Sequence, residues 1–114
     1  MDNLYERLIN NGGFTIDNGA NEYNGAGYVV ALPNEVTVTA DVLTAILLRS
    51  IVDALFDFDA ADFVGAWCDN DGRYCFSPTM VVDDRDDAIW YARHYGQATI
   101  WDVERGEPIF VEYT

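Results

Sequence analysis

Carboxylates are the commonest reactive groups in this chain, and two sets of them lie close together in sequence. One is Asp57, Asp59 and Asp62; the other is Asp83, Asp84, Asp86 and Asp87. Oxygen-rich sets of this kind can hold a divalent cation. The second set has a simpler use. Asp83 or Asp84 is placed to cap a helix, and Asp86 and Asp87 fall in its first turn, where the helix dipole favours anions. Neither set is expected to hold a catalytic metal.

The other reactive side chains do not combine into a catalytic group. His94 is the single histidine, near the end of that same helix, where a cation suits the dipole. It has no Cys or His at ligand spacing. Cys68 and Cys75 flank a hairpin and are expected to remain free thiols; their spacing matches no standard zinc site. The turn Asp69-Asn70-Asp71-Gly72 superficially resembles a calcium loop. With Gly72 in the sixth position, however, Trp67 would hold the first ligand position and Pro78 the twelfth, and neither can ligate. Ser50 and Ser77 lack an activating motif. Asn10 to Gly13 follows a helix where a phosphate loop would open one. The expectation is a non-enzyme with no catalytic, cofactor-binding or metal-binding residues.

Charge is the most pronounced feature. Twenty acids face six bases, for a formal net charge of −14; every base is Arg, and Asp outnumbers Glu by fourteen to six. Such a surface disfavours direct contact with nucleic acid or anionic membrane. It suits a protein partner with a basic surface, including one that ordinarily holds DNA or RNA. Solubility or a high-salt habitat would produce the same excess. Trp90 adds a second signal. With Ile89 assigned to the buried side of its helix, Trp90 points roughly 100° away, as an anchor for a partner would. The expected partner-binding residues are therefore Asp57, Asp59, Asp62, Asp83, Asp84, Asp86, Asp87 and Trp90.

The elements that must position these residues follow from apolar spacing. Asp2-Asn3 caps a short helix with a stripe of Leu4, Leu8 and Ile9, ended by Asn11-Gly12-Gly13. Gly13 to Ile16 and Gly27 to Leu32 read as two strands that pair with each other across an Asn- and Gly-rich loop. Thr37 to Thr39 extend the strand structure. Thr39 or Asp41 then caps the main helix, whose apolar face runs through Val42, Leu43, Ile46, Leu47, Ser50, Ile51, Ala54 and Leu55, with Arg49 and Asp53 outside. Phe63 to Cys68 and Arg73 to Val82 form a hairpin. Pro78 makes the second of these an edge, bulged or broken strand. A helix over Arg85 to Tyr95 buries Ala88, Ile89, Ala92 and Tyr95 and stops at Gly96. Gln97 to Val103 and Pro108 to Tyr113 close the chain as a hairpin. The order is α-β-β-α-β-β-α-β-β, an α+β fold in one domain, residues 1–114: an antiparallel sheet built from hairpins, covered by one long helix and one or two shorter ones. No run is apolar enough to span a bilayer and no signal peptide is apparent, so a cytoplasmic protein of a bacterial or archaeal host is expected.

The blocks Leu8-Ile9-Asn10-Asn11-Gly12-Gly13-Phe14-Thr15, Gly27-Tyr28-Val29-Val30, Gly65-Ala66-Trp67-Cys68-Asp69 and Gly96-Gln97-Ala98-Thr99-Ile100-Trp101-Asp102 resemble a class of small acidic accessory proteins of phages, prophages and plasmids. The similar blocks lie mostly at turns and strand starts, and the class offers no catalytic residues to carry over. The resemblance implies a mobile-element setting. By context it suggests an anti-CRISPR or anti-restriction inhibitor, a partial DNA mimic acting on a CRISPR effector or restriction enzyme. The alternative is a phage or plasmid adaptor acting by protein–protein binding or as a homodimer.

Overall fold

The computed structural model describes residues 4–59, 61–69 and 71–112, with only the backbone at residues 58 and 59. The elements are α1 (Leu4–Asn11), β1 (Gly13–Ile16), β2 (Tyr28–Ala31), β3 (Val36–Thr39), α2 (Ala45–Asp59), β4 (Phe63–Cys68), β5 (Arg73–Val82), α3 (Arg85–His94), β6 (Thr99–Asp102) and β7 (Glu107–Phe110). The strands form one antiparallel sheet in the order β1-β4-β5-β2-β6-β7, with β3 also paired to β5. The class is α+β, as the hairpin signals predict, with one strand more than expected because Val36–Thr39 stands as a strand of its own.

β1 and β2 do not pair with each other, contrary to the sequence reading. The Asp17 carboxylate accepts the N–H groups of Gly19 and Asn21 at 2.9 and 3.0 Å. This tight turn sends the chain back along β1's own outer edge, where Tyr23 N–H donates to Thr15 O and Ile16 bridges Glu22. The other edge of β1 takes β4, and β2 inserts between β5 and β6.

β2 and β3 lie end to end along one side of β5. Ala31 faces Thr79 and Val36 faces Phe76, so residues 32–35 bulge where β5 advances only by Ser77 and Pro78. Asn34 takes a positive φ of 79° in this bulge. The interruption explains how β5 runs unbroken through a proline in the middle of the sheet. Pro78 O accepts from Leu32 N at 2.8 Å. In an antiparallel strand the N of a residue faces the same side as its O. The missing N–H of Pro78 therefore faces the bulge and not the β4 ladder.

α2 starts later than predicted. Its cap is Thr44, whose Oγ1 accepts from Leu47 N at 3.1 Å, and not Thr39 or Asp41. The buried stripe is also rotated: Leu48, Val52, Leu55 and Phe56 are buried, whereas Ile46 is 81% and Val42 56% exposed. The helix is apolar around most of its girth, so two overlapping stripes satisfy the same period. Packing against β4, β5 and α1 together selects one of them. In α1, Leu4 and Leu8 are buried while Ile9 is half-exposed; the Asp2-Asn3 cap lies outside the described residues.

Side-chain alternation puts all three helices on one face of the sheet. The core has two halves. Leu8, Ile16, Leu48, Val52, Val64 and Phe76 pack beneath α1 and α2. Val30, Ala88, Ala92, Ile100 and Val111 pack beneath α3. The long helix therefore shares the cover with α3. No helix among the described residues is long and apolar enough to cross a membrane.

Candidate functional site

The register of the sheet decides where the carboxylates go. One end of the sheet is where β2, β4 and β7 begin and β1, β5 and β6 finish, since Ile16 faces Val64, Tyr28 faces both Val82 and Asp102, and Asp102 faces Glu107. Asp62 precedes β4 there and Asp83 and Asp84 follow β5; both segments are exposed. Asp57 is exposed in the last turns of α2, which hands the chain to β4 at this same end; the Asp59 side chain lies outside the described residues. The two carboxylate sets picked out by sequence thus come to one end of the molecule.

On α3, Asp84 is the cap: it has extended backbone and its side chain accepts from Asp87 N at 3.0 Å. Asp86 and Asp87 stand exposed in the first turn. Asp86, Trp90 and His94 follow at four-residue steps and so share one helix face. Trp90 is 59% exposed, as its position opposite the buried alanines requires. Its ring stacks on His94 (centroids 5.4 Å apart, planes 3° apart) and meets Tyr91 edge-on at 5.1 Å. These contacts hold a large apolar side chain in place at the surface beside the acidic turn.

Five further carboxylates join this end: Asp17, Glu22, Asp102, Glu104 and Glu107. They come from two short segments, 17–22 and 102–107, and the strand register brings both segments to this end. In all, eleven described carboxylates meet three bases here, Arg7, Arg85 and Arg105. Arg105 lies 4.0 Å from Asp102 and 3.7 Å from Glu107. The N–H groups of Asn21 and Gly19 hold the Asp17 carboxyl below its ordinary value. Glu22 moves the other way: burial raises its pKa despite the N–H of Thr15 and the charge of Arg7.

At the opposite end Asp69 and Asp71 are tied into a turn, while Asp41 and Glu112 stand exposed after β3 and β7. Arg73 pairs with Asp69 and Asp71, each at 3.1 Å. The Arg73 and Asp71 N–H groups and the Arg73 guanidinium hold Asp69 below the usual carboxylate range.

The helix-free face of the sheet is different again. Eighteen strand residues point to it and one, Arg73, is charged. A trough of about 500 Å³ crosses it, lined by Gly65, Trp67, Thr79, Val29, Ala31 and Trp101 among others. Ser77 Oγ and Thr79 Oγ1 are the buried side-chain oxygens with no hydrogen-bond partner among the described residues. Cys75 also points to this face. Burial first, then Glu35 and Asp69, push its thiol up to about 11, so it keeps its proton at neutral pH. Cys68 faces Tyr74 and points to the other side of the sheet. The two thiols are free and lie on opposite faces of the sheet.

Among the described residues, no three His, Cys, Asp or Glu side chains are grouped to hold a metal ion. The acidic end is a field of separate charges that can attract and orient a cationic surface. Compared with protein-family models, curated proteins and solved structures, the chain matches none.

Proposed function

We propose that the protein is a non-enzymatic inhibitor that docks its acidic end, with Trp90 as an apolar anchor, onto a basic surface where its partner otherwise holds nucleic acid. The observation that carries this reading is the gathering of eleven carboxylates against three arginines at one end of the sheet. Six strands at ~4.8 Å spacing make that end roughly 29 Å wide. The same length of duplex DNA carries about 17 phosphates at one per ~1.7 Å. The end therefore has roughly half the net charge of the duplex, enough to steer encounter and compete for part of a groove. By analogy with accessory proteins of mobile elements, the proposed partner is a CRISPR effector or restriction enzyme in a bacterial or archaeal cytoplasm.

The test is capture from a bacterial lysate on the immobilised protein, followed by elution with a short DNA duplex. A triple variant, Asp83→Lys, Asp86→Lys and Asp87→Lys, serves as comparison; Asp84 is left intact because it caps α3. The expected result is a nucleic-acid-binding protein retained by the wild type, released by the duplex or by salt, and lost from the triple variant. Retention of the same proteins by both forms, or release by neither duplex nor salt, defeats the proposal.

A further inference from the structure

The helix-free face of the sheet has no part in that docking, and its make-up is unusual for an antiparallel sheet, whose outer face ordinarily carries polar and charged residues. We infer that this face is where two copies of the chain meet, in a two-fold dimer. Three observations support this. First, the chain carries a net charge of −14, so two copies repel wherever carboxylates face each other. Arg73 is the only charged residue among the eighteen strand positions on this face, and Asp69 and Asp71 of its own chain pair with it. Glu22, from the loop after β1, is the one carboxylate that lines the trough, so two copies can meet here with most of their acidic ends held apart.

Second, the face is self-complementary in relief. Trp101 lies beside Pro108, and Phe110 faces Thr99, on the strands at one margin. Trp101 is 43% and Phe110 75% exposed, which makes that margin an apolar ridge. Next to it runs the trough, floored by residues with small side chains or none, such as Gly65, Ala31 and Thr79. A two-fold axis pairs each feature of a patch with its counterpart on the other copy. The ridge of one copy then enters the trough of its partner, twice. Third, the size is adequate. The face measures roughly 29 Å across the strands and up to ~33 Å along β5, enough to cover the ~800 Å² per partner that a stable dimer buries.

The experiment is sedimentation or light scattering of the full chain across a concentration series, at low and high salt. The wild type is expected at twice its 12.8 kDa. Dimerisation should strengthen with salt, because screening removes the repulsion between two acidic copies; docking of the acidic end on a basic partner should weaken. Phe110→Glu is expected to give a monomer at least tenfold more readily, with an unchanged far-ultraviolet circular dichroism spectrum. Ile46→Glu, at the most exposed large apolar residue of the helical layer, should leave the dimer intact. A wild type that stays monomeric at every concentration overturns the proposal. So does a dimer broken by Ile46→Glu and not by Phe110→Glu. So does a monomer in which Phe110→Glu abolishes binding to another protein, which would assign the face to that partner. The triple lysine variant should still dimerise, so failure of one proposal leaves the other standing.

Discussion

The acidic end and the helix-free face are built from the same strands, yet they hold charge in opposite ways. Within the strands, the residues pointing away from the helices are Gly, Ala, Ser, Thr, Val, Cys, Pro and aromatics, with Arg73 the single ionised exception. Eleven carboxylates stand in the turns, helix ends and strand ends that the register collects at one end of the sheet. The end acts at a distance and through charge, so its effects fade with salt. The face acts only on contact, through packing. Substitutions at the end should therefore alter association and leave the fold nearly untouched, while substitutions at the buried floor of the face should register first in stability.

The glycines on the face give the largest expected effect. A Cβ at Gly13 would stand 2.7 Å from Ala66 O, a backbone atom that cannot move without displacing β4. Gly13→Ala should cost about 3 kcal/mol, the upper part of the range for overpacking. A Cβ at Gly65 would stand 2.9 Å from Thr79 Cγ2, a β-branched side chain with little rotamer freedom. Gly65→Ala should cost about 1–2 kcal/mol, and Thr79→Ser, which removes the obstructing methyl, should recover most of it. Denaturant unfolding of the two single variants and the double variant measures this coupling. Additive losses would mean the two residues do not touch. Asp83→Lys in the same assay should shift the midpoint little, and a large shift there would blur the distinction between end and face.

Thr79 carries a second, smaller prediction. Its hydroxyl is buried without a partner, and an unmade hydrogen bond of this kind costs roughly 1–3 kcal/mol. Thr79→Val keeps the shape and removes the polar atom, so it should stabilise the protein by about 1 kcal/mol. A destabilised Thr79→Val would show that the hydroxyl is satisfied in solution, and would make the trough floor a polar site.

The elements of the fold were legible from local chemistry. Asp84 as a cap, Gly96 as a stop at φ 71° and the Asp-Gly turn before Arg73 all act over a few residues. What stayed hidden depended on partners distant in sequence. The separation of β1 from β2 follows from the Asp17 turn folding onto β1, and the rotation of α2 follows from its packing on β4, β5 and α1. A central strand through Pro78 is possible only because its neighbour is interrupted at that point. The site divides along the same line. Asp83 to Asp87 and Trp90 were found because one helix carries them. Asp17, Glu22, Asp102, Glu104 and Glu107 belong to the same end only through cross-strand register, which a single sequence does not display.

Glu22 sits where the two regions meet, since it lines the trough and belongs to the acidic end. Its Oε2 accepts from Thr15 N at 2.9 Å, yet burial raises its pKa above the ordinary 4.5. A raised value means that the folded state holds the proton more tightly than the unfolded state. Stability from this group is complete below pH 4.5 and declines as pH rises through the higher folded value. Asp17 and Asp69 work in a separate window. Their lowered values give stability that is present above 3.8 and lost as pH falls through the folded values. The pH–stability curve should therefore rise up to about 4 and then lose a little of the gain above 4.5. Glu22→Gln keeps an oxygen acceptor for Thr15 N–H and removes the ionisation. Its curve should overlay the wild type below pH 4 and lack the decline above 4.5, the smallest of these effects. Unfolding midpoints measured between about pH 3 and pH 7 decide it. Parallel curves over the whole range would mean that Glu22 is well solvated, and that the charge of the end does not reach the trough.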